Sequence, residues 1–580
     1  MFINFSLLIF MASVLSVTCL DASFLVSLNH AEEAASEVLT KISTKWSIDQ
    51  YPNFLRSMGS SRSDWNTLVQ KFKYKILEAN SKSVLVEKSS TTLHHYSDLV
   101  KFIISFMGSS VAAGHDSPYK LSFPVLVGER MNPVLSKLGV ELITRNVAMG
   151  NNPCMPYDIC VETFAGKDVD IVHWEQTYNC AHGDNQRVLE QFVRQSALLP
   201  NRPLIVFTDS DTPNWRKNDC PSNHMDLYNL TADESAYLKT YQAQAAGISD
   251  VATDNSLNKK SIYRKFGYLN HIIRKYKGIA AVQLWDHSNY RDYKCRGPYV
   301  ADWHGHNAKW HPSQHGHDLR ADHHVFFWLA AWRDAIMSLK SDAALNHIDL
   351  LTALKTRSNA PITLPRPLVN SNISDHIQCY TNYEPRSERN SSIHSLVVQG
   401  RALADYKVDL TSTRRFAEKG VSTENIGWRT EIYEALASAK IVTMANKAGY
   451  LDYKVVMYGN SASGPLSLLI ETKRSDGNIF LCEAPGIWGK MLAGYAPLWN
   501  ASLELFVTDL NANDYVENTK FSTENPFHFH EEKAVKMSYF HTKVDELCMQ
   551  VMQKLPIGRY VLTVVPKSSK KVTLATVLIP

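Results

Sequence analysis

Beyond its N-terminal stretch the chain has no long hydrophobic run: no later segment holds the roughly 18 uninterrupted apolar residues that a helical membrane span requires. A polytopic membrane protein is therefore not expected. The sequence also lacks an excess of either charge, with 61 Lys and Arg against 57 Asp and Glu, and its basic residues are scattered. Without a basic stripe there is no electrostatic footprint for a phosphate backbone, and nucleic acid is not an expected partner. Internal repeats and low-complexity tracts are missing too. Hydrophobic residues (44%) and charged residues (20%) lie near the averages of soluble globular proteins, which argues against a disordered or collagen-like chain. At 580 residues the sequence is too long for one ordinary core, since domains mostly hold about 100 to 200 residues, so two or three are expected.

The N-terminus, MFINFSLLIFMASVLSVTCLDAS, carries an apolar stretch over residues 5–17 that ends in small and polar residues. That length fits a signal peptide better than a span, and residues 1–22 are read as one. No Lys or Arg precedes the apolar stretch, so a signal anchor stays open as the lesser alternative. After cleavage no stable membrane span is expected. Setting Cys19 aside with the leader leaves eight of the nine cysteines, an even number that favours disulfides in an exported chain. Asn229, Asn372, Asn390 and Asn500 each stand in an N-x-[ST] sequon, in keeping with a secreted or extracellular glycoprotein.

Residues 23–95 read as a helical lead-in, with stretches such as HAEEAASEVLTKI. Short apolar runs then alternate with amphipathic segments, the pattern of βα units in a parallel sheet. Strands are expected over 101–107, 140–146, 169–175, 203–209 and 278–286, with helices over 125–139, 186–199 and 261–277, and a closing helix starting near His323. Residues 358–375 hold three prolines among small polar residues, the composition of a connection, and a linker is placed at 361–380. From 381 to 580 the texture is that of alternating strands separated by turn residues. A β-sandwich-like domain is expected there, interrupted by a helix at TEIYEALASAK.

The first strand runs into GSSVAAGHD, residues 108–116. A serine between a strand and a helix, flanked by small residues, sits on a sharp turn with its hydroxyl above the sheet edge, where chemistry collects in open α/β sheets. The second strand leads to Asn146 and Gly150 and the third to Asn179. A serine's own N–H, a glycine N–H and an asparagine amide are suitable donors for a developing oxyanion. A serine hydroxyl also needs a base, and His311, in WHPSQHGHDLRAD before the closing helix, can supply one.

In that order the blocks GSSVAAG, NVAMG, TYN and HPSQHGH resemble the four blocks of the SGNH, or GDSL-like, hydrolase superfamily, over roughly residues 100 to 340. The resemblance implies a three-layer α/β/α, flavodoxin-like hydrolase domain, placed here at 96–360, and esterase activity. It assigns Ser110 as nucleophile, Gly150 and Asn179 as oxyanion donors beside the Ser110 N–H, and His311 as base. Two positions depart from the pattern. The aspartate usual before the nucleophile is Ser109, which makes Ser109 a rival nucleophile, and the acid usual three residues before the base is Ala308. Asp302 is the nearest carboxylate to take up that role; a Ser-His dyad is the alternative.

Seven histidines lie between 304 and 324, but no Glu or Cys stands near them with ligand spacing, so pocket-lining or capping roles are expected instead of zinc. Trp174 is expected in the core, and Glu175 beside the pocket. His115 and Asp116 read as helix-capping residues. No cofactor is implied. The substrate expected is an ester, an acylated glycan or a lipid, with glycan contact through the C-terminal domain. A catalytically silent glycan-binding protein on the same fold and an acyltransferase are the competing functional readings.

Overall fold

The protein is seen here as a computed structural model that describes residues 22–46, 62–88, 99–114, 121–149, 154–175, 186–209, 281–285, 314–342, 347–359, 362–367, 374–383, 386–399, 402–404, 406–409, 416–419, 428–433, 454–475, 478–483, 495–496, 503–511, 531, 534–536, 543–545, 548–553 and 555–580. Residues 1–21 of the expected signal peptide and the expected helix over 261–277 lie outside these residues.

Five parallel strands form the first sheet: β1 (Val100–Gly108), β2 (Val140–Asn146), β3 (Ile171–Glu175), β4 (Leu204–Asp209) and β5 (Ala281–Trp285). Their order is β2-β1-β3-β4-β5, every neighbouring pair parallel, so the strand order reverses between β1 and β3. In sheets of this order ligands bind at that reversal, beyond the carboxyl ends of the strands. Alternation sends the strand side chains into two cores. Phe102, Ile104, Phe106, Leu204 and Val206 join one, while Ile103, Met107, Val172, Trp174, Ile205 and Phe207 join the other. In β1, β3 and β4 both faces are buried, which is why these strands read as continuous apolar runs.

The helical lead-in forms two helices, α1 (Ala22–Trp46) and α2 (Arg62–Lys88). In α1 the buried residues Phe24, Leu28, Ala31, Ala35, Leu39 and Ile42 recur every three or four positions, one face of a helix. That face joins the first core together with the helix after β1, Phe123–Leu135, and the long helix Gln314–Ser341. The closing helix thus begins nine residues before the expected start at His323. Its first turns are polar in sequence but are held by contacts. Arg130 bonds the Asp318 carbonyl oxygen at 3.0 Å and pairs with the carboxylates of Asp318 and Asp322, and Lys45 reaches Asp322 at 2.8 Å and also pairs with Asp318. Burial works upward on the Asp318 carboxyl, but Lys45 and Arg130 outweigh it and hold the group below its ordinary range.

The second core continues into the C-terminal part, where Cys379, Tyr383, Phe480, Cys482 and Leu578 pack against the α/β unit. The strand Asn478–Cys482 serves two cores by alternation: Phe480 and Cys482 face the α/β unit, while Ile479 and Leu481 face the β core. Three five-stranded sheets and one two-stranded sheet make up the described β region. One expectation is corrected there. Trp428–Tyr433 is a strand, paired antiparallel with Lys454–Gly459, so a helix does not begin at Thr430; the strand's pairing outweighs the helical propensity of the alanines that follow it. The C-terminal run KVTLATVLIP holds two strands, Lys571–Leu574 and Thr576–Ile579, which lie in different sheets.

The connection between the two parts is fastened. Arg194 grips Asp375 through Nε and Nη2, both at 2.5 Å, and bonds the Pro365 carbonyl oxygen at 2.6 Å, while Thr163 Oγ1 donates to the Cys379 carbonyl oxygen at 2.9 Å. Disulfides join Cys160 to Cys379 and Cys482 to Cys548. The first spans 219 residues of sequence, a loop whose closure costs the reduced, unfolded chain much entropy. Replacing both Cys160 and Cys379 by serine is expected to remove roughly 2–5 kcal/mol of stability. Urea unfolding checks this, and an unchanged midpoint would contradict it. Of the four sequon asparagines, Asn390 lies among the described residues and is exposed; Asn229, Asn372 and Asn500 lie outside them.

Candidate active site

β1 delivers the chain to the sheet edge at Gly108, where space is tight. A Cβ there would lie 3.0 Å from Ala112 Cβ and 3.1 Å from Glu175 Oε2, tighter than most real Cβ contacts, so its neighbours would have to give by a few tenths of an ångström. Ser109 follows in extended conformation and caps the short helix Ser110–Ala113, its Oγ accepting from Val111 N at 3.3 Å. The helix stops at Gly114, whose φ of +86° places it in the left-handed region that glycine occupies freely. Ser110 is the first residue of the helix and is half-buried, whereas Ser109 is only 1% exposed.

Three elements hold this turn. From β3, the buried Glu175 accepts from Ser109 Oγ at 3.0 Å and from Ser109 N at 3.4 Å through the same oxygen, Oε2. From the end of β2, Asn146 Nδ2 donates to the Ala112 carbonyl oxygen at 2.7 Å, and its Oδ1 accepts from Ala148 N at 3.2 Å. The chain after β2 stays alongside β1, with Met149 N bonded to the Gly108 carbonyl oxygen at 3.1 Å. Behind them the Tyr157 hydroxyl accepts from Gly108 N at 3.1 Å and donates to the Val147 carbonyl oxygen at 3.0 Å.

Opposite the turn stands the long helix. Arg320 Nη1 lies 3.5 Å from Glu175 Oε1, with both side chains fully buried, and the guanidinium sits over the Phe123 ring. His324 and His173 meet through their Nε2 atoms at 3.0 Å, and His324 Nδ1 lies 2.7 Å from the Arg320 carbonyl oxygen. A carbonyl can only accept, so His324 carries its proton on Nδ1 and His173 donates to it from Nε2. His317 Nδ1 accepts from Phe123 N at 3.3 Å. Among the described residues no group of three or more His, Cys, Asp or Glu is arranged to hold a metal ion.

Burial, then the neighbouring His324 and Arg320, push His173 well below the usual imidazole range. Unfolded, the same ring takes up a proton below about pH 6.5. Acidification therefore favours the unfolded chain, and stability falls below that pH by up to about 1.4 kcal/mol per unit from this group. Urea midpoints across pH 7.5 to 5.0 should show this slope, and His173→Gln should flatten it. An identical slope in the variant would rule out His173 as its source.

Of the residues expected to form the site, Ser110 stands at the carboxyl end of β1, next to the strand reversal. Gly150, Asn179, Asp302 and His311 lie outside the described residues, as do His115 and Asp116. The described chain does place Met149, immediately before Gly150, at Gly108, and it starts the long helix at Gln314, three residues after His311. Trp174 is core, packed against Tyr157 and Phe192. Tyr157, Arg320 and the His173–His324 pair were not singled out from the sequence. A charged residue at the end of an apolar strand, as with Glu175, was a readable sign, because such groups are buried only with partners; Arg320, among polar neighbours, gave none.

Neither a protein-family model nor a curated protein sequence matches the chain. Among solved structures it is similar to a two-domain esterase active on acetylated mannans, at 13% identity and a TM-score of 0.34, over 83% of this chain and 92% of that one. A structure of such an esterase co-crystallised with mannopentaose overlaps it to the same extent, at 12% identity and a TM-score of 0.33. The overlap is too loose to set residues in correspondence.

Proposed function

We propose that the chain is a secreted ester hydrolase of the SGNH type, with Ser110 as nucleophile and His311 as base. The observation that carries this reading is the division of labour in the serine pair. Ser109 is buried and engaged with Glu175 and Val111, while Ser110 opens a short helix at the end of β1, beside the reversal of a parallel sheet. In the proposed mechanism Ser110 Oγ attacks the ester carbonyl carbon as His311 takes its proton. Ser110 N–H, Gly150 N–H and the Asn179 amide hold the oxyanion. The alcohol leaves with the proton from His311, and water, deprotonated by the same residue, then releases the acid. Asp302 orients His311 and stabilises its charged form. The β-rich C-terminal part favours an O-acylated glycan over a lipid as substrate.

Acid release from p-nitrophenyl acetate and from O-acetylated oligosaccharides by the full chain tests the reading, with a free sugar acceptor present and absent. Hydrolysis in both is the expected result. Transfer of the acyl group to the acceptor would replace the hydrolase with an acyltransferase, and a folded protein inert toward every O-acyl ester would overturn the reading.

A further inference from the structure

We propose that Glu175 is a positioning residue for the nucleophile: paired with Arg320, its carboxylate sets the turn that presents Ser110, acting through Ser109. The inference rests on the serine-hydrolase reading and extends it to a side chain that touches no substrate.

The geometry forms a single chain of contacts. Arg320 Nη1 faces Glu175 Oε1 at 3.5 Å, and Glu175 Oε2 receives the Ser109 hydroxyl at 3.0 Å. That hydroxyl in turn accepts from Val111 N, inside the first turn of the helix that Ser110 opens. A hydroxyl that donates to one partner and accepts from another has no rotation left, so the position of the carboxylate is transmitted to the backbone around Ser110. Hydrogen bonds to an ionised acceptor are about twice as strong as neutral ones, which suits Glu175 to the task better than an amide. Gly108 leaves room for this carboxylate, since a Cβ there would crowd Oε2 at 3.1 Å.

Stability alone is a poor reason for such a pair. Taking two charges out of water costs several kcal/mol per ion, and apolar side chains of similar volume serve as well or better. The pair does something that apolar packing does not: it ties the nucleophile's turn, through β3, to the helix that begins three residues after His311. The two halves of the proposed Ser-His site are thereby linked by one ion pair, and a misplacement of about 1 Å at such a site can cost 10²-fold in rate.

The test uses Ser109→Ala and Glu175→Gln in the full disulfide-bonded chain, with folding followed by circular dichroism and thermal unfolding. Readouts are kcat and KM for p-nitrophenyl acetate and the rate at which a fluorophosphonate modifies Ser110. Ser109→Ala leaves the ion pair in place, so it remains decisive even if Glu175→Gln does not fold. The expected result is a fall of about 10²-fold in kcat and in labelling rate, with KM changed by less than about threefold. A purely structural role would lower the unfolding midpoint and leave kcat per folded molecule intact. Wild-type kcat in folded Ser109→Ala overturns the inference while wild-type labelling at Ser110 upholds the hydrolase reading. A folded wild-type chain that does not react with the probe overturns both.

Discussion

Ser110→Ala is expected to lower kcat for ester hydrolysis by about 10⁶-fold, the size of loss seen when the nucleophile of a serine hydrolase is removed. The residual rate belongs to the oxyanion donors and to binding, which alanine leaves in place. The fold should not change, because Ser110 is a half-buried first residue of a short helix and alanine has the better helix propensity. Turnover of p-nitrophenyl acetate, measured beside circular dichroism and thermal unfolding, decides the matter. A folded variant with a tenth or more of wild-type kcat would mean that Ser110 is not the nucleophile. The neighbouring serine provides the contrast, since Ser109→Ala leaves the attacking hydroxyl in place and disturbs only the turn that carries it.

The largest effect on stability is expected from Arg320→Met. The Glu175 carboxyl would then stand at a fully buried site without the guanidinium 3.5 Å away, and breaking a buried pair in this way costs about 3–5 kcal/mol. Removing both charges, as in Arg320→Met with Glu175→Leu, should restore much of the loss, since well-packed apolar replacements of an ion pair are often neutral. Urea unfolding of wild type, both single variants and the double variant closes the cycle. A single Arg320→Met that unfolds at the wild-type midpoint would show that the pair contributes nothing to folding. Recovery of stability without recovery of kcat in the double variant would separate the pair's packing from its positioning of Ser110.

The α/β unit is legible in the sequence where short apolar runs mark its strands. The run VELITRN is β2 to the residue, and the apolar runs at 101–107 and 203–209 lie within a residue of β1 and β4. The start of the long helix was hidden for the opposite reason. Residues 314–322 are polar and include Gly316, so they read as loop, yet Asp318, Arg320 and Asp322 are held there by Arg130, Lys45 and Glu175, which come from three other elements. Local patterning does not contain partners so distant in sequence. The same limit applied at Thr430–Tyr433, where a helix-like composition gave way to pairing with Lys454–Gly459.

At the site, a strand running into Gly-Ser-Ser is by itself an ordinary turn, and the serine pair was visible because three further blocks follow it in order. The resemblance favours Ser110 over Ser109, but the partner of Ser109 was not legible, because Glu175 stands a strand away. Histidine clustering pointed to several roles at once. Three of those rings, His317, His323 and His324, lie buried on the long helix, where their partners include Phe123, Arg320 and His173.

The most direct test of the central claim is to treat the full, disulfide-bonded chain with a fluorophosphonate probe and locate the adduct by peptide mass spectrometry. The expected result is one phosphonylated residue, Ser110, with no adduct in Ser110→Ala. An adduct on Ser109, or a folded wild-type protein that stays unmodified, would contradict it.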